Sequence, residues 1–375
     1  MISFGQDILQ NPQYITTSNP KFYSDELRAG IANLPDGFRA LYFQRHLPTA
    51  PPLSDQFDAD AQAIYSGLDP KSAYFPLAQQ AKYPSVPPAE RAAIASALNT
   101  HGAQGLRLAR AVLALANVEW LSLASQDKGL TISHAQPSGE VAAKVEDELG
   151  YIRRHPATDW AVVGPRSDRD GPLTLAMGAA DCLVIPLVDR VTGAFGLVHA
   201  GRPGTGLRTA EKATGLMHSE FGSNPKDLVA FLGEGVCMEC YDIDTAMFAS
   251  FTRDFGGRTM IDKVVKQYPT ALADKGTPHG DRVAIDLYAF NKYLLAARGV
   301  GTIITARNCT ARLSADCPSL AGRQSPPSEE AQLFFSPARA KGKKVGWTME
   351  NGEKVGLDTF HLGTPRNLAT VTRLQ

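Results

Sequence analysis

The 375-residue chain has little of what marks a secreted, membrane-spanning or nucleic-acid-binding protein. Five cysteines are too few at this length, and odd in number, for a disulfide framework, so each thiol is expected to be reduced, buried or metal-bound. Net charge is absent, because 38 Lys and Arg balance 38 Asp and Glu. That excludes a sequence-wide attraction for polyanions, and nucleic acid is not expected as the main ligand. No apolar run approaches the ~18–20 residues that a membrane span requires. The first 18 residues have neither the basic start nor the apolar core of a secretory signal. The expectation is a cytoplasmic protein with no membrane partner, with assembly into a homo-oligomer left open. The eight histidines include no His-x-His pair, which argues against a multicopper cluster, where many imidazoles gather.

What is present organises the chain into three parts. Eleven of the 25 prolines precede residue 100, so residues 1–105 read as a loop-rich extension with short helices. Pro87-Pro88-Ala89-Glu90 opens one helical run, since proline fits a first turn and an acid complements the dipole. Residues 105–117 continue as a second helix, with Leu106, Ala109, Val112 and Leu113 at helical spacing. From Glu119 short strands alternate with helices. Strand candidates are 120–123, 130–133, 160–163, 173–177, 182–188, 194–199, 228–232, 302–305 and 332–335; helix candidates are 207–221 and 282–298. The fold class is α+β, mixed sheets flanked by helices, with one domain over residues 106–346 and a polar tail over 347–375.

The most informative stretch runs from Gly178 to Gly206. Two apolar runs flank Asp189-Arg190-Val191-Thr192-Gly193, which suits a turn, so they should pair as antiparallel strands. With the turn centred between Arg190 and Val191, Cys182 falls opposite His199. Directly opposed residues share a face with Cβ atoms ~4.5–5.5 Å apart, from which a thiolate and an imidazole both reach one zinc ion. A bulge at Thr192-Gly193, or at mid-strand Pro186, would slip that register. A third ligand is needed, and His134 ends a strand just before the turn-prone Gln136-Pro137-Ser138-Gly139. Cys182, His199 and His134 would leave one tetrahedral vertex open, as in a catalytic site. On spacing alone, an unligated buried Cys182 and a hydrogen-bonded His199 are the commoner arrangement.

These residues resemble the polyphenol-oxidase or laccase-domain family. Its motifs recur in order: Ala180-Asp181-Cys182-Leu183, His199-Ala200-Gly201, Leu232 to Ile243, Asp286-Leu287 with Asn291, Gly299-Val300, Cys309-Thr310, and Phe334-Phe335-Ser336 with Arg339. The resemblance covers about residues 106 to 346. It implies a necrotizing-factor-like laccase-domain fold, zinc as cofactor, and His134, Cys182 and His199 as the ligand triad. It also implies zinc-dependent purine nucleoside phosphorylase chemistry with adenosine deaminase activity, taking a nucleoside and phosphate as small-molecule partners. The chain departs from the family at Gly201-Arg202-Pro203-Gly204, which lacks a tryptophan and carries its arginine one place early. It departs again at Gly233-Glu234, where the family has Gly-Pro, and in having no Thr-Arg-x-Gly-Gly segment near its start; Tyr42-Phe43-Gln44-Arg45 is the nearest match.

Phosphorolysis needs a bound phosphate, and the Gly201–Gly206 segment between a strand and the Leu207 helix suits an anion cradle. Arg202 or Arg208 would add charge; the plain alternative is a flexible turn with solvated arginines. Strand alternation turns Asp181 away from the face of Cys182, toward substrate or a ligand's outer nitrogen, unless it only caps backbone N–H groups. Tyr241 either contacts substrate or packs. The catalytic candidates are thus Asp181 and Arg202, with Gly201, Gly204, Arg208 and Tyr241 binding substrate. Cys237-x-x-Cys240 has no second close pair, because Cys309 and Cys317 stand eight apart, so a four-cysteine site is not expected. Two rival functions fit the altered Arg202-Pro203 pair: hydrolysis of an amide in a peptidoglycan precursor, and non-catalytic zinc binding.

Overall fold

The computed structural model describes residues 15–16, 23–24, 29–35, 37–43, 117–121, 128–133, 143–147, 150–155, 158–165, 171–179, 181–277, 280–305, 309–310, 344–348, 354–358 and 367–373. The proposed helices before residue 117, the 332–335 strand, His134, Ala180, Cys317 and the Phe334–Arg339 motif lie outside them. A seven-stranded sheet runs in the spatial order 15–16, 302–305, 228–232, 183–189, 195–200, 160–163 and 130–132. An eight-stranded sheet runs 23–24, 29–33, 38–43, 367–373, 173–179, 117–121, 150–155 and 143–147. Both mix parallel and antiparallel pairs. A three-stranded sheet (242–244, 280–285, 272–277) and a hairpin (344–348, 354–358) complete the strands.

The segments expected to stand apart contribute to the same sheet. Strand Phe38–Phe43 from the early region and Asn367–Arg373 from the tail pair with each other, and the latter pairs with Leu173–Ala179. The strands at 160–163, 228–232 and 302–305 fall where apolar runs place them. The 282–298 helix does not: Gly280–Ile285 is a strand, and the helix spans Leu287–Ala297. The break is Asp286, whose carboxylate caps the helix by accepting from the amides of Tyr288 (3.0 Å) and Ala289 (3.3 Å).

Two apolar layers result from alternation along the central strands. Leu183, Ile185 and Leu187 face helices Thr209–Phe221 and Leu287–Ala297, meeting Ala210, Ala213, Met217, Phe290 and Leu294. Val184, Val188, Phe195 and Leu197 face the second sheet, meeting Phe38, Tyr42, Leu175, Met177 and Val371. On the helix side the Phe290 ring sits edge-on to Phe251 and Phe255, both at 5.1 Å between centroids. Burying each such side chain contributes about 1.5–3 kcal/mol. Pro186 occupies a central strand. Its ladder with Phe195–Ala200 is continuous, while pairing with Leu228–Leu232 stops at Leu187, one residue before the missing N–H would be required.

Candidate functional site

The hairpin forms, but two residues out of the expected register. His199 opposes Val184, and Ala200 opposes Leu183. The loop is larger than assumed: Asp189 N–H donates to Ala194 O at 2.8 Å, and Gly193, at φ +75°, donates to Asp189 O at 3.1 Å. The Asp189 carboxylate also accepts from the amides of Val191 (2.8 Å) and Thr192 (3.1 Å). A shift of two leaves side-chain parity unchanged, so Cys182 stays on the face of Val184 and His199 and packs against the intersheet core.

The Cys182 thiol is within hydrogen-bonding reach of the His199 ring. A Cβ built on Gly201 would stand 2.5 Å from Cys182 Sγ and 3.2 Å from His199 Nε2. Sulfur and ring nitrogen therefore face one small space that only glycine leaves open. On the other side of the ring, Nδ1 lies 3.4 Å from an Asp159 carboxylate oxygen, and His199 N–H donates to Asp159 O at 2.8 Å. Asp159 is buried, and its contact with Nδ1 leaves Nε2 on the side of Cys182. Burial disfavours the imidazolium, yet Cys182 and Asp159 together raise the His199 pKa to about 9. Sequence reading missed Asp159, because only strand alignment brings it beside His199. The donor set suits zinc: one sulfur, one imidazole nitrogen with its second nitrogen held, and a glycine cradle between them.

The glycine-rich segment is not the loop expected. Arg202–Gly206 is a short helix, with proline in its first turn, and Thr209–Phe221 is a separate helix. Arg208 joins them at φ +62°. Thr205, Leu207 and Arg208 spend their N–H groups on Gly201, Pro203 and Thr205 carbonyls at 2.7, 2.8 and 3.1 Å. Those bonds take three amides out of the expected anion cradle. Asn291 fixes this turn, donating to Thr205 Oγ1 at 2.8 Å and to Leu287 O at 2.9 Å. Gly204 is pressed on the hairpin, since a Cβ there would lie 2.7 Å from His199 O. Arg208 pairs with Glu211, which also binds Arg298 at 3.0 Å.

Tyr241 reports on the remaining candidates. Burial raises its pKa above the ordinary value, the charge positions of Cys182 and Asp181 raise it further, and Arg202, which hydrogen-bonds the phenol oxygen, opposes them. Asp181, Cys182 and Arg202 thus lie near Tyr241, and Cys182 links this group to His199. Asp181 is not in the strand as expected: it sits at φ +68°, just before Cys182. Its carboxylate accepts from the Thr310 hydroxyl at 2.6 Å, and its carbonyl accepts from Val236 N–H at 2.9 Å. Tyr42, from the early strand, lies under the same hairpin and donates to Val184 O at 3.0 Å. Burial, and then the Glu234 charge, hold the phenols of Tyr42 and Tyr288 protonated.

A second cluster was not anticipated. Cys237, Cys240 and Cys309 place their sulfur atoms within 4.8 Å of one another, close enough for one metal ion. No helix among the described residues is long and apolar enough to cross a membrane.

The family model for multi-copper polyphenol oxidoreductase laccase matches residues 121–318. The chain belongs to this family. It is 33% identical over 130 residues to purine nucleoside phosphorylase ORF3 of Streptomyces griseus, an alignment covering 34% of this chain and 50% of that one. It is 30% identical over 140 residues to a purine nucleoside phosphorylase of Deinococcus radiodurans, covering 36% and 47%. Adenosine deaminase RL5, from an unknown prokaryotic organism, is 26% identical over 140 residues, covering 37% and 48%. The chain spans about half the length of these curated relatives. The hypothetical protein YfiH of Bacillus licheniformis shares the fold, with a TM-score of 0.55 at 17% identity over 95% of this chain and 100% of that one. YlmD from Geobacillus stearothermophilus gives a TM-score of 0.51 at 18% identity over 94% and 99%.

Proposed function

We propose that this laccase-family member is a zinc-dependent enzyme that cleaves purine nucleosides with phosphate, releasing the base and ribose 1-phosphate. The observation that carries the reading is the meeting of the Cys182 sulfur and His199 Nε2 above Gly201, with Tyr241 near Cys182, Arg202 and Asp181. His134 joins them as third ligand by its place in the family motif. Bound zinc would supply a Lewis acid at the vertex left by His134, Cys182 and His199. The chain's own groups do the rest. Arg202 and the amides of Arg202 and Gly204 hold phosphate, the guanidinium through paired donors. Tyr241, kept protonated by burial, donates its hydroxyl to substrate. Asp181, oriented by the Thr310 hydroxyl, accepts from a sugar or base donor. Asp159 holds the His199 ring so that Nε2 faces the site. Gly201 leaves room for the reacting group. Arg208, engaged with Glu211, adds positive charge on the phosphate side of the turn.

The test is incubation of metal-loaded protein with adenosine, with and without phosphate. Adenine release that depends on phosphate supports the reading, and absence of any nucleoside turnover refutes it. Inosine formed without phosphate would assign deaminase chemistry, which one relative's name carries. Amide hydrolysis in a peptidoglycan precursor, with no nucleoside turnover, would replace the proposal with the rival enzyme class.

A further inference from the structure

The proposed reaction uses none of Cys237, Cys240 and Cys309, and the family's ligand motif does not include them. Sulfurs on one tetrahedral ion, each at about 2.3 Å, stand about 3.8 Å apart. The three thiols, already within 4.8 Å of one another, need to close by no more than about an ångström to reach that geometry. Their positions are fixed by backbone. Cys237 and Cys240 bracket one tight turn, closed by Cys240 N–H donating to Cys237 O at 3.0 Å. Cys309 arrives 72 residues later through a parallel bridge to Gly235, reinforced by Thr310 N–H donating to Gly235 O at 3.0 Å. Cys237 N–H then donates to Cys309 Sγ at 3.3 Å, the kind of amide donor that steadies a ligating thiolate. Cys309 is fully buried, and Cys237 and Cys240 are half-buried. Glu239, on the same turn, comes within hydrogen-bonding reach of the Cys237 thiol.

We propose that Cys237, Cys240 and Cys309 form a second, structural zinc site with three thiolate ligands, separate from Cys182 and His199. Binding replaces the thiol protons: each of the three S–H groups releases its proton to solvent as an S–Zn bond forms. The consequence reaches the first site through backbone. The two segments that carry the cysteines also hold Asp181, by the Val236 amide and the Thr310 hydroxyl, in a left-handed conformation that non-glycine residues rarely adopt. An ion joining those segments therefore stiffens the turn that aims Cys182. The inference does not depend on the nucleoside reading.

The test uses the full chain carrying Cys182→Ala and His199→Ala, reduced without thiols and loaded with zinc or cobalt(II). About one zinc per chain should remain, and cobalt should give a sulfur-to-metal charge-transfer band about three times as intense as that of a chain carrying Cys237→Ser, Cys240→Ser and Cys309→Ser, in which Cys182 is the sole proposed sulfur ligand. Adding Cys240→Ser to the first variant should remove ion and band together. If that variant fails to fold, the band intensity of the Cys182→Ala, His199→Ala chain alone still counts the thiolates. No retained zinc, a single-thiolate band, or a band indifferent to Cys240→Ser would each overturn the proposal.

Discussion

Replacing Gly201 by alanine is the perturbation most sharply aimed at the proposed zinc site. The backbone tolerates it, since Gly201 has φ −69° and ψ −178°, open to any residue. The new methyl would stand 2.5 Å from Cys182 Sγ and 3.2 Å from His199 Nε2. Non-bonded heavy atoms settle at about 3.5–4.0 Å, so the sulfur must retreat by about 1 Å or more. A Zn–S bond keeps its length to within about 0.2 Å, and a displacement that size removes the sulfur from coordination. Zinc affinity should fall by about 100-fold or more, about 2.7 kcal/mol, while metal-free stability changes by about 1 kcal/mol, the cost of a strained cysteine rotamer. Competition with a chromophoric chelator measures the first quantity and urea unfolding of metal-free protein the second. Zinc binding within threefold of the parent protein would refute the reasoning, because the methyl would then not share space with an ion.

Gly204→Ala makes the contrast, since its methyl meets the His199 carbonyl at 2.7 Å rather than a ligand; unfolding should show a loss of about 1–3 kcal/mol with zinc affinity per folded chain little changed. Asn291→Ala should cost about 1–3 kcal/mol in the same assay, because the buried Thr205 hydroxyl loses its donor. Asp189→Asn tests the hairpin loop by pH. Burial alone would raise the Asp189 pKa, but hydrogen bonds from Ser223, Val191 and Thr192 more than offset it, so the folded value is depressed. Its stabilising effect is complete above the unfolded pKa of about 3.9 and fades as pH falls through the lower folded value. The parent should exceed Asp189→Asn in stability at pH 6, and the gap should close below about pH 4; a gap independent of pH would show that the charge does not matter.

Much of the seven-stranded sheet was legible because its strands are short apolar runs buried on both faces, as Trp160–Val163 and Leu228–Leu232 illustrate. The hairpin register was not, since it turns on where Gly193 adopts positive φ, and a loop one position further along moves every partner by two. Even so, the shared face of Cys182 and His199 survived, because parity depends only on an even shift. Ala143–Asp147 and Gly150–His155 were overlooked because Lys, Glu and Arg fill them; the second pairs with Asn117–Leu121, whose buried Glu119 binds its His155 and Arg153. The contact of Asp159 with His199 and the approach of Cys309 to Cys237 were invisible for another reason. Each arises through backbone alignment between distant segments, which no local pattern encodes.

An anomalous difference map at the zinc edge, from crystals of the zinc-loaded protein, tests the central claim most directly. The account predicts a peak about 2.3 Å from Cys182 Sγ and about 2.0–2.1 Å from His199 Nε2. Density confined to the Cys237 cluster, or none beside His199, would contradict it.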